Sequence, residues 1–116
     1  MSAISSKKKQ GPFITINQGK GFRKEPIKNI VYCYSVANTS KLILTDGRVM
    51  LFPGTLKSLE SIFSSERFFR LNRSLLINMA HVKLIINDKG CHIIMSDHSV
   101  FEVPKSKQAL LFSTFQ

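Results

Sequence analysis

Two apolar runs set about a single turn constrain the fold of this chain more than any other feature. Lys41-Leu42-Ile43-Leu44-Thr45 and Arg48-Val49-Met50-Leu51-Phe52 flank Asp46-Gly47. That dipeptide suits the positive backbone angles of a two-residue hairpin turn. Both flanks are rich in β-branched and large apolar residues, and Pro53-Gly54 closes the second. An antiparallel hairpin over residues 41–52 is therefore predicted, and the rest of the chain supplies more strands for it to join.

Pro12 to Asn17 alternates Phe13 and Thr15 with Ile14 and Ile16, a short strand, before a loop at Gln18-Gly19-Lys20-Gly21. A lone GxG with no helix after it is not a phosphate loop. Ile30-Val31-Tyr32-Cys33-Tyr34-Ser35-Val36 has the composition of a central strand and runs into a polar turn at Ala37-Asn38-Thr39-Ser40. Val82–Ile86 and Cys91–Met95 read as strands joined by Asn87-Asp88-Lys89-Gly90, and Ser96-Asp97-His98-Ser99 turns into a last strand at Val100–Val103. Thr55 caps one amphipathic helix, with Leu56, Leu59, Ile62 and Phe63 on one face and Lys57, Ser58, Glu60 and Ser61 on the other. Pro104 suits the first turn of a short C-terminal helix carrying Lys105, Lys107, Leu110, Leu111 and Phe112. The class implied is mainly β, with one amphipathic helix and a short C-terminal helix.

A length of 116 residues suits one domain. Residues 1–25 read as a basic N-terminal tail and a short leading strand, and residues 26–116 as the domain proper. The tail carries Lys7-Lys8-Lys9 but no apolar core of a secretory signal, and no run approaches the roughly 18 apolar residues of a membrane span. A soluble, cytoplasmic protein is expected. Cys33 and Cys91 read as buried thiols of a reducing compartment, with a bridge between them left open.

Lys and Arg number 17 against 7 Asp and Glu, a net charge of +10. Such an excess calls for a polyanionic partner, nucleic acid or an acidic membrane surface. No helix pairs a basic face with an apolar one, which argues against the membrane. Catalysis finds no support either. His81, His92 and His98 have no metal-ligand spacing, and the carboxylates show no paired-acid pattern. No nucleophile elbow or Walker loop occurs. No enzyme activity, cofactor or metal is expected.

The cations cluster in the tail, at Lys20-Arg23-Lys24, at Arg67-Arg70-Arg73 and at Lys105-Lys107. The amphipathic helix carries only Lys57, so recognition by a helix laid in a groove is poorly supported, and loops must do the work. The arginine cluster lies in Glu66-Arg67-Phe68-Phe69-Arg70-Leu71-Asn72-Arg73-Ser74-Leu75-Leu76-Ile77-Asn78. There, guanidinium forks suited to phosphate or guanine alternate with apolar anchors. A surface loop whose arginines pair with neighbouring carboxylates explains the same residues.

The order of elements and this segment resemble the LytTR family of bacterial DNA-binding domains over roughly Pro26 to Phe115. Phe69-Arg70-Leu71-Asn72-Arg73-Ser74-Leu75-Leu76-Ile77-Asn78 is similar to the family's F-x-R-x-H-R-S-x-x-V-N signature. Asn29-Ile30-Val31-Tyr32-Cys33, the Asp46-Gly47 hairpin with Thr55-Leu56, and Val103-Pro104-Lys105 fall in the family's order. The resemblance implies an elongated arrangement of small antiparallel sheets that inserts loops into successive grooves of a duplex. Its implied function is that of a sequence-specific transcriptional regulator. The positions it marks for DNA are Thr39, Ser40, Lys41, Arg70, Asn72, Arg73 and Lys105, to which the cation clustering adds Lys107. Arg70 is assigned either a phosphate contact or a scaffold bond, Ser74 and Asn78 hold the segment's backbone, and Arg67, with no counterpart in the signature, is assigned to solvent.

The chain departs from the family pattern in three places. Asn72 stands where His is usual, Pro104-Lys105 where Ser-Arg is usual, and Tyr34 where an acid is common. Base preference therefore does not carry over. Family regulators commonly place a receiver domain before this module, for which these residues leave no room. The chain then acts without phosphorylation input, receives it from a separate signalling protein, or is part of a longer regulator. The implied partner is double-stranded DNA, with a second copy on repeated half-sites. The alternative is an interaction module that pairs with a longer regulator of the family without reading DNA.

Overall fold

The centre of the molecule is a sheet buried on both faces. In the computed structural model, which describes residues 12–64 and 66–115, five antiparallel strands run in the order β5-β4-β3-β7-β6. These are β3 (Ile30–Val36), β4 (Thr39–Leu44), β5 (Val49–Phe52), β6 (Phe68–Asn72) and β7 (Leu75–Asn78). Helix α1 (Leu56–Ile62) carries the chain from β5 at one edge to β6 at the other. Because the crossover passes over one face, its apolar side is buried there. Leu56, Leu59 and Phe63 join Cys33, Leu42, Leu44 and Leu76 in one core. On the other face, Val31, Phe69, Leu71 and Ile77 meet Ile93, Met95 and Leu111. Burial on both faces explains why Leu75-Leu76-Ile77 reads as an unbroken apolar run and not an alternating one.

The second core is closed by a three-stranded sheet, ordered β10-β9-β8, and by helix α2 (Lys105–Phe115). Its strands are β8 (Val82–Asn87), β9 (Cys91–Met95) and β10 (Val100–Glu102). Asn78 links the two layers. Its buried amide donates to Ile30 O at 2.9 Å, and its Oδ1 accepts from Ala80 N at 3.0 Å in the 3-10 turn Met79–His81. This is the backbone-holding role expected of it. Cys33 and Cys91 are free thiols in different cores, and burial pushes both above the ordinary thiol range.

The first core is closed by a hairpin the sequence shows only in half. β1 (Phe13–Gln18) is the expected leading strand, but Gly21–Pro26 continues as a partner strand, β2, where a loop carrying cations was expected. β1 places Ile14 and Ile16 in the core beside α1. β2 escapes a pattern search because its inward residue is Glu25, only 2% exposed. That carboxylate takes bonds from Arg23 Nε at 3.0 Å and Asn29 Nδ2 at 3.2 Å, with Arg48 Nη2 at 3.4 Å. Burial alone would raise its pKa. The hydrogen bonds and the two guanidinium charges outweigh that and hold it below the ordinary carboxylate value. The basic segment around Lys7 lies outside the described residues.

Two local expectations change in detail. The Asp46-Gly47 hairpin is present, but its loop is wider than two residues. Gly47 N bonds Leu44 O at 2.9 Å, and Leu44 N bonds Arg48 O at 2.9 Å. Gly47 alone takes a positive φ, of 89°. Asp46 stays at negative φ because its carboxylate accepts from Arg48 N at 3.0 Å and Arg48 Nε at 2.7 Å. In α1, Thr55 accepts from Ser58 N at 3.2 Å as predicted, but Ile62 is 43% exposed. The helix ends there, and Phe63 takes the buried position. The molecule measures 49 × 36 × 24 Å. Its radius of gyration of 15.1 Å exceeds the about 13 Å of an equally long compact domain, so the elongated shape is real.

Candidate nucleic-acid interface

One end of the central sheet carries two turns side by side. β3 and β7 pair with Tyr34 opposite Leu75, and Ser35 N extends the ladder to Ser74 O at 3.0 Å. The β3–β4 turn at Ala37-Asn38 and the β6–β7 turn at Arg73-Ser74 therefore emerge together. The Asp46-Gly47 loop lies at the opposite end of the sheet.

The β6–β7 turn has an unusual construction. A two-residue hairpin loop normally needs positive φ, yet none of residues 72–75 takes one. Instead the register slips between Arg70 and Asn72, leaving Leu71 as the extra residue of a bulge, fully buried in the second core. Asn72 Oδ1 accepts from Ser74 N at 2.8 Å. Arg70 Nε and Nη2 bond the carbonyls of Asn72 and Arg73, each at 2.9 Å, while Nη1 pairs with Glu60 of α1 at 2.7 Å. Asn72 and Arg73 are left exposed at the tip.

Helix α2 brings the third group. Asn72 and Arg73 face Pro104, Ser106 and Lys107 across a depression of about 310 Å³, which Arg70 and Leu71 also line. A second hollow of about 450 Å³ shares Asn72 and Pro104 and adds Leu75, Phe101 and Glu102. Lys105 stands exposed at the start of the helix. Residues 34 positions apart in sequence thus meet in one place. The sequence singled out Asn72, Arg73 and Lys107 but missed Ser106 and Glu102. Neither carries a local signal, because only tertiary packing of β10 and the start of α2 brings them near the turn.

The remaining marked residues separate. Thr39 is half-buried and closes its turn by donating to Val36 O at 2.8 Å. Lys41 is also half-buried, in register with Tyr34 and Leu51. Ser40 is a correction. It points inward from β4, is 0% exposed, and donates to Gly54 O at 2.8 Å. Strand alternation puts its side chain on the face opposite its neighbours, so its hydroxyl is not presented to a partner. Arg67 is corrected too: it is not simply solvated, since its Nη2 donates to Thr114 O at 2.6 Å and satisfies a carbonyl in the last turn of α2.

Among the described residues, no group of His, Cys, Asp and Glu could hold a metal ion, and no helix is long and apolar enough to cross a membrane. His81 is a connector. Its Nε2 lies 2.6 Å from Lys28 O and its Nδ1 3.0 Å from Ser96 Oγ.

The comparisons with known proteins agree with this architecture. Among curated proteins, none matches the chain. A solved LytTr DNA-binding domain, from a Bacillus cereus protein described as a methyl-accepting/DNA response regulator, superposes with a TM-score of 0.73. That match covers 88% of this chain and 94% of the other at 17% identity, a likeness of fold. The family model of the LytTr DNA-binding domain matches residues 20–116, which takes in the central sheet, both turns, the three-stranded sheet and α2. The chain belongs to the LytTR family of DNA-binding domains.

Proposed function

We propose that this chain is the output module of a transcriptional regulator. It reads double-stranded DNA by sequence, using the end of the sheet that carries the β3–β4 and β6–β7 turns and the start of α2. The observation that carries this reading is the convergence of Asn72, Arg73 and Lys107 on one depression, with Lys105 exposed beside it.

Each side chain has a role its chemistry supports. Arg73 is exposed and makes no ion pair with a described carboxylate, so its fork is free for the O6 and N7 of a guanine. Asn72 has one Oδ1 lone pair engaged by Ser74 N, which leaves Nδ2 as its donor toward a base acceptor. Lys105 and Lys107 sit at the N-terminal end of an eleven-residue helix, where their ammonium charge and the positive end of the helix dipole both favour a phosphate. Lys105 gives single-point contacts, unlike the bidentate grip of an arginine. Thr39 and Lys41 supply a second, flanking set of contacts from the neighbouring turn. Ser40 instead ties β4 to the connection after β5. Glu102, beside Asn72, repels phosphate and so helps define where the backbone cannot pass.

Selection of bound duplexes from a random pool, repeated at two salt concentrations, tests the reading. An enriched motif, repeated at a spacing near one helical turn where two copies bind, is expected. Equal binding of random and selected duplexes at both salts would sink it and favour an interaction module that pairs with a longer regulator.

A further inference from the structure

We infer that Glu60 and Arg70 form a clamp that sets the pose of the β6–β7 turn, making Arg70 a positioning residue and not a phosphate contact. The inference deepens the proposed DNA reading and rests on it for its functional consequence, though not for its structural one. Arg70 leaves β6 on the side facing α1. Its three nitrogens divide among Glu60 Oε1 at 2.7 Å, Asn72 O at 2.9 Å and Arg73 O at 2.9 Å. The two carbonyls belong to the two exposed residues that face the depression.

The turn needs such a clamp because its backbone lacks the usual means of closure. No residue in it adopts the positive φ that would match strand twist, and the Leu71 bulge interrupts the ladder just before it. One planar fork holding two successive carbonyls replaces those constraints. An ammonium at the same place could not span both carbonyls and the carboxylate. Glu60 then ties the fork to a fixed body. Its helix is capped by Thr55 and anchored in the first core by Leu59, fully buried, and by Leu56 and Phe63. Arg70 and Glu60 side chains are 30% and 40% exposed, so the pair adds little to global stability. Its effect falls on orientation.

The decisive variant is Glu60→Ala. It removes a negative charge from a DNA-binding protein, and by charge alone should tighten all binding. The clamp predicts the reverse for the selected duplex, a loss of about three- to tenfold with little change for random duplex, so that the specificity ratio falls. The salt slope stays unchanged, because no phosphate contact has gone. Arg70→Lys keeps the charge and should lower the ratio similarly. A merely destabilising change would reduce both affinities together and leave the ratio alone.

A second arm needs no DNA. Hydrogen exchange of the Ser74 amide, which donates to Asn72 Oδ1, should quicken about three- to tenfold in Glu60→Ala. The Phe63 amide, bonded to Leu59 O at 2.8 Å in α1, should not change. Unchanged Ser74 protection would overturn the clamp whatever the protein binds. So would tighter binding of all DNA by Glu60→Ala, together with a salt slope smaller by about 0.9 in Arg70→Ala, the signature of a lost phosphate contact. Quickened Ser74 exchange in a protein that fails to distinguish duplexes would support the clamp and refute the DNA reading.

Discussion

Ala37 occupies the first central position of the β3–β4 turn with φ of 54°, while Asn38 beside it stays at negative φ. That pattern is ordinarily filled by glycine, because a Cβ crowds the backbone in the left-handed region. In the proposed interface this turn carries Thr39 and leads into Lys41 at the same end of the sheet as the β6–β7 turn. Ala37→Gly should relieve the strain and stabilise the protein by about 0.5–1 kcal/mol, less the entropy glycine gains when unfolded. Urea denaturation would show this as a higher midpoint with an unchanged slope. Arg73 lies at the other extreme, exposed and held only through its backbone. Arg73→Ala should leave the urea midpoint nearly unmoved but cost about 1–3 kcal/mol in affinity for the selected duplex and relax preference at one base pair. A uniform loss across all sequences would demote it to a phosphate contact.

At the scale of elements, the β1–β2 hairpin is a lid fastened by a charge. Glu25 on β2 reaches Arg48 in the β4–β5 loop, which also holds Asp46. The folded protein depresses the Glu25 pKa, so the stabilisation it supplies is fully present above the ordinary carboxylate value. It fades as pH falls through the lower, folded one. Glu25→Gln should therefore cost about 1 kcal/mol at pH 7, near the low end for charged hydrogen bonds because both arginines are partly solvated. The gap from wild type should close as pH drops below about 4.5, read from urea midpoints across the acid range. This hairpin also marks where the sequence stops being legible. β6 and β7 stand in the sequence only as an arginine-bearing segment with apolar anchors. The other strands of the two cores declare themselves by apolar runs, and Thr55 and Pro104 mark helix starts, so the class could be read directly. β2 could not, because its buried residue is a glutamate satisfied by groups distant in sequence. The site divides in the same way. Arg73 and Lys107 stand out by charge, whereas the inward turn of Ser40, the proximity of Ser106 and the capture of Arg70 by Glu60 arise only from tertiary packing.

Across the whole molecule, the described ion pairs leave the cations of the proposed interface unmatched. Described ion pairs bind Arg23 and Arg48 to Glu25 and Asp46 at the end of the sheet remote from the two turns, and Arg70 to Glu60 behind the tip. Arg73, Lys105 and Lys107 have no such partner at the end where the turns meet α2. Cations without a described acidic partner, a part of the chain's net +10, thus stand at the end where the proposed partner would sit. The elongated body, 49 Å in its longest dimension, carries further cations away from this end. If about five or six phosphates are neutralised, log affinity should fall with log salt at a slope near −5. That corresponds to about a thousandfold loss between 50 and 200 mM. Selected and random duplexes should share most of this slope, since phosphate contacts position the protein and base contacts specify the site. Lys107→Ala should make it shallower by about 0.9, whereas Glu60→Ala should leave it alone. A wild-type slope shallower than about −2 would mean that these cations are not meeting a phosphate backbone, and the interface would have to be sought elsewhere on the molecule.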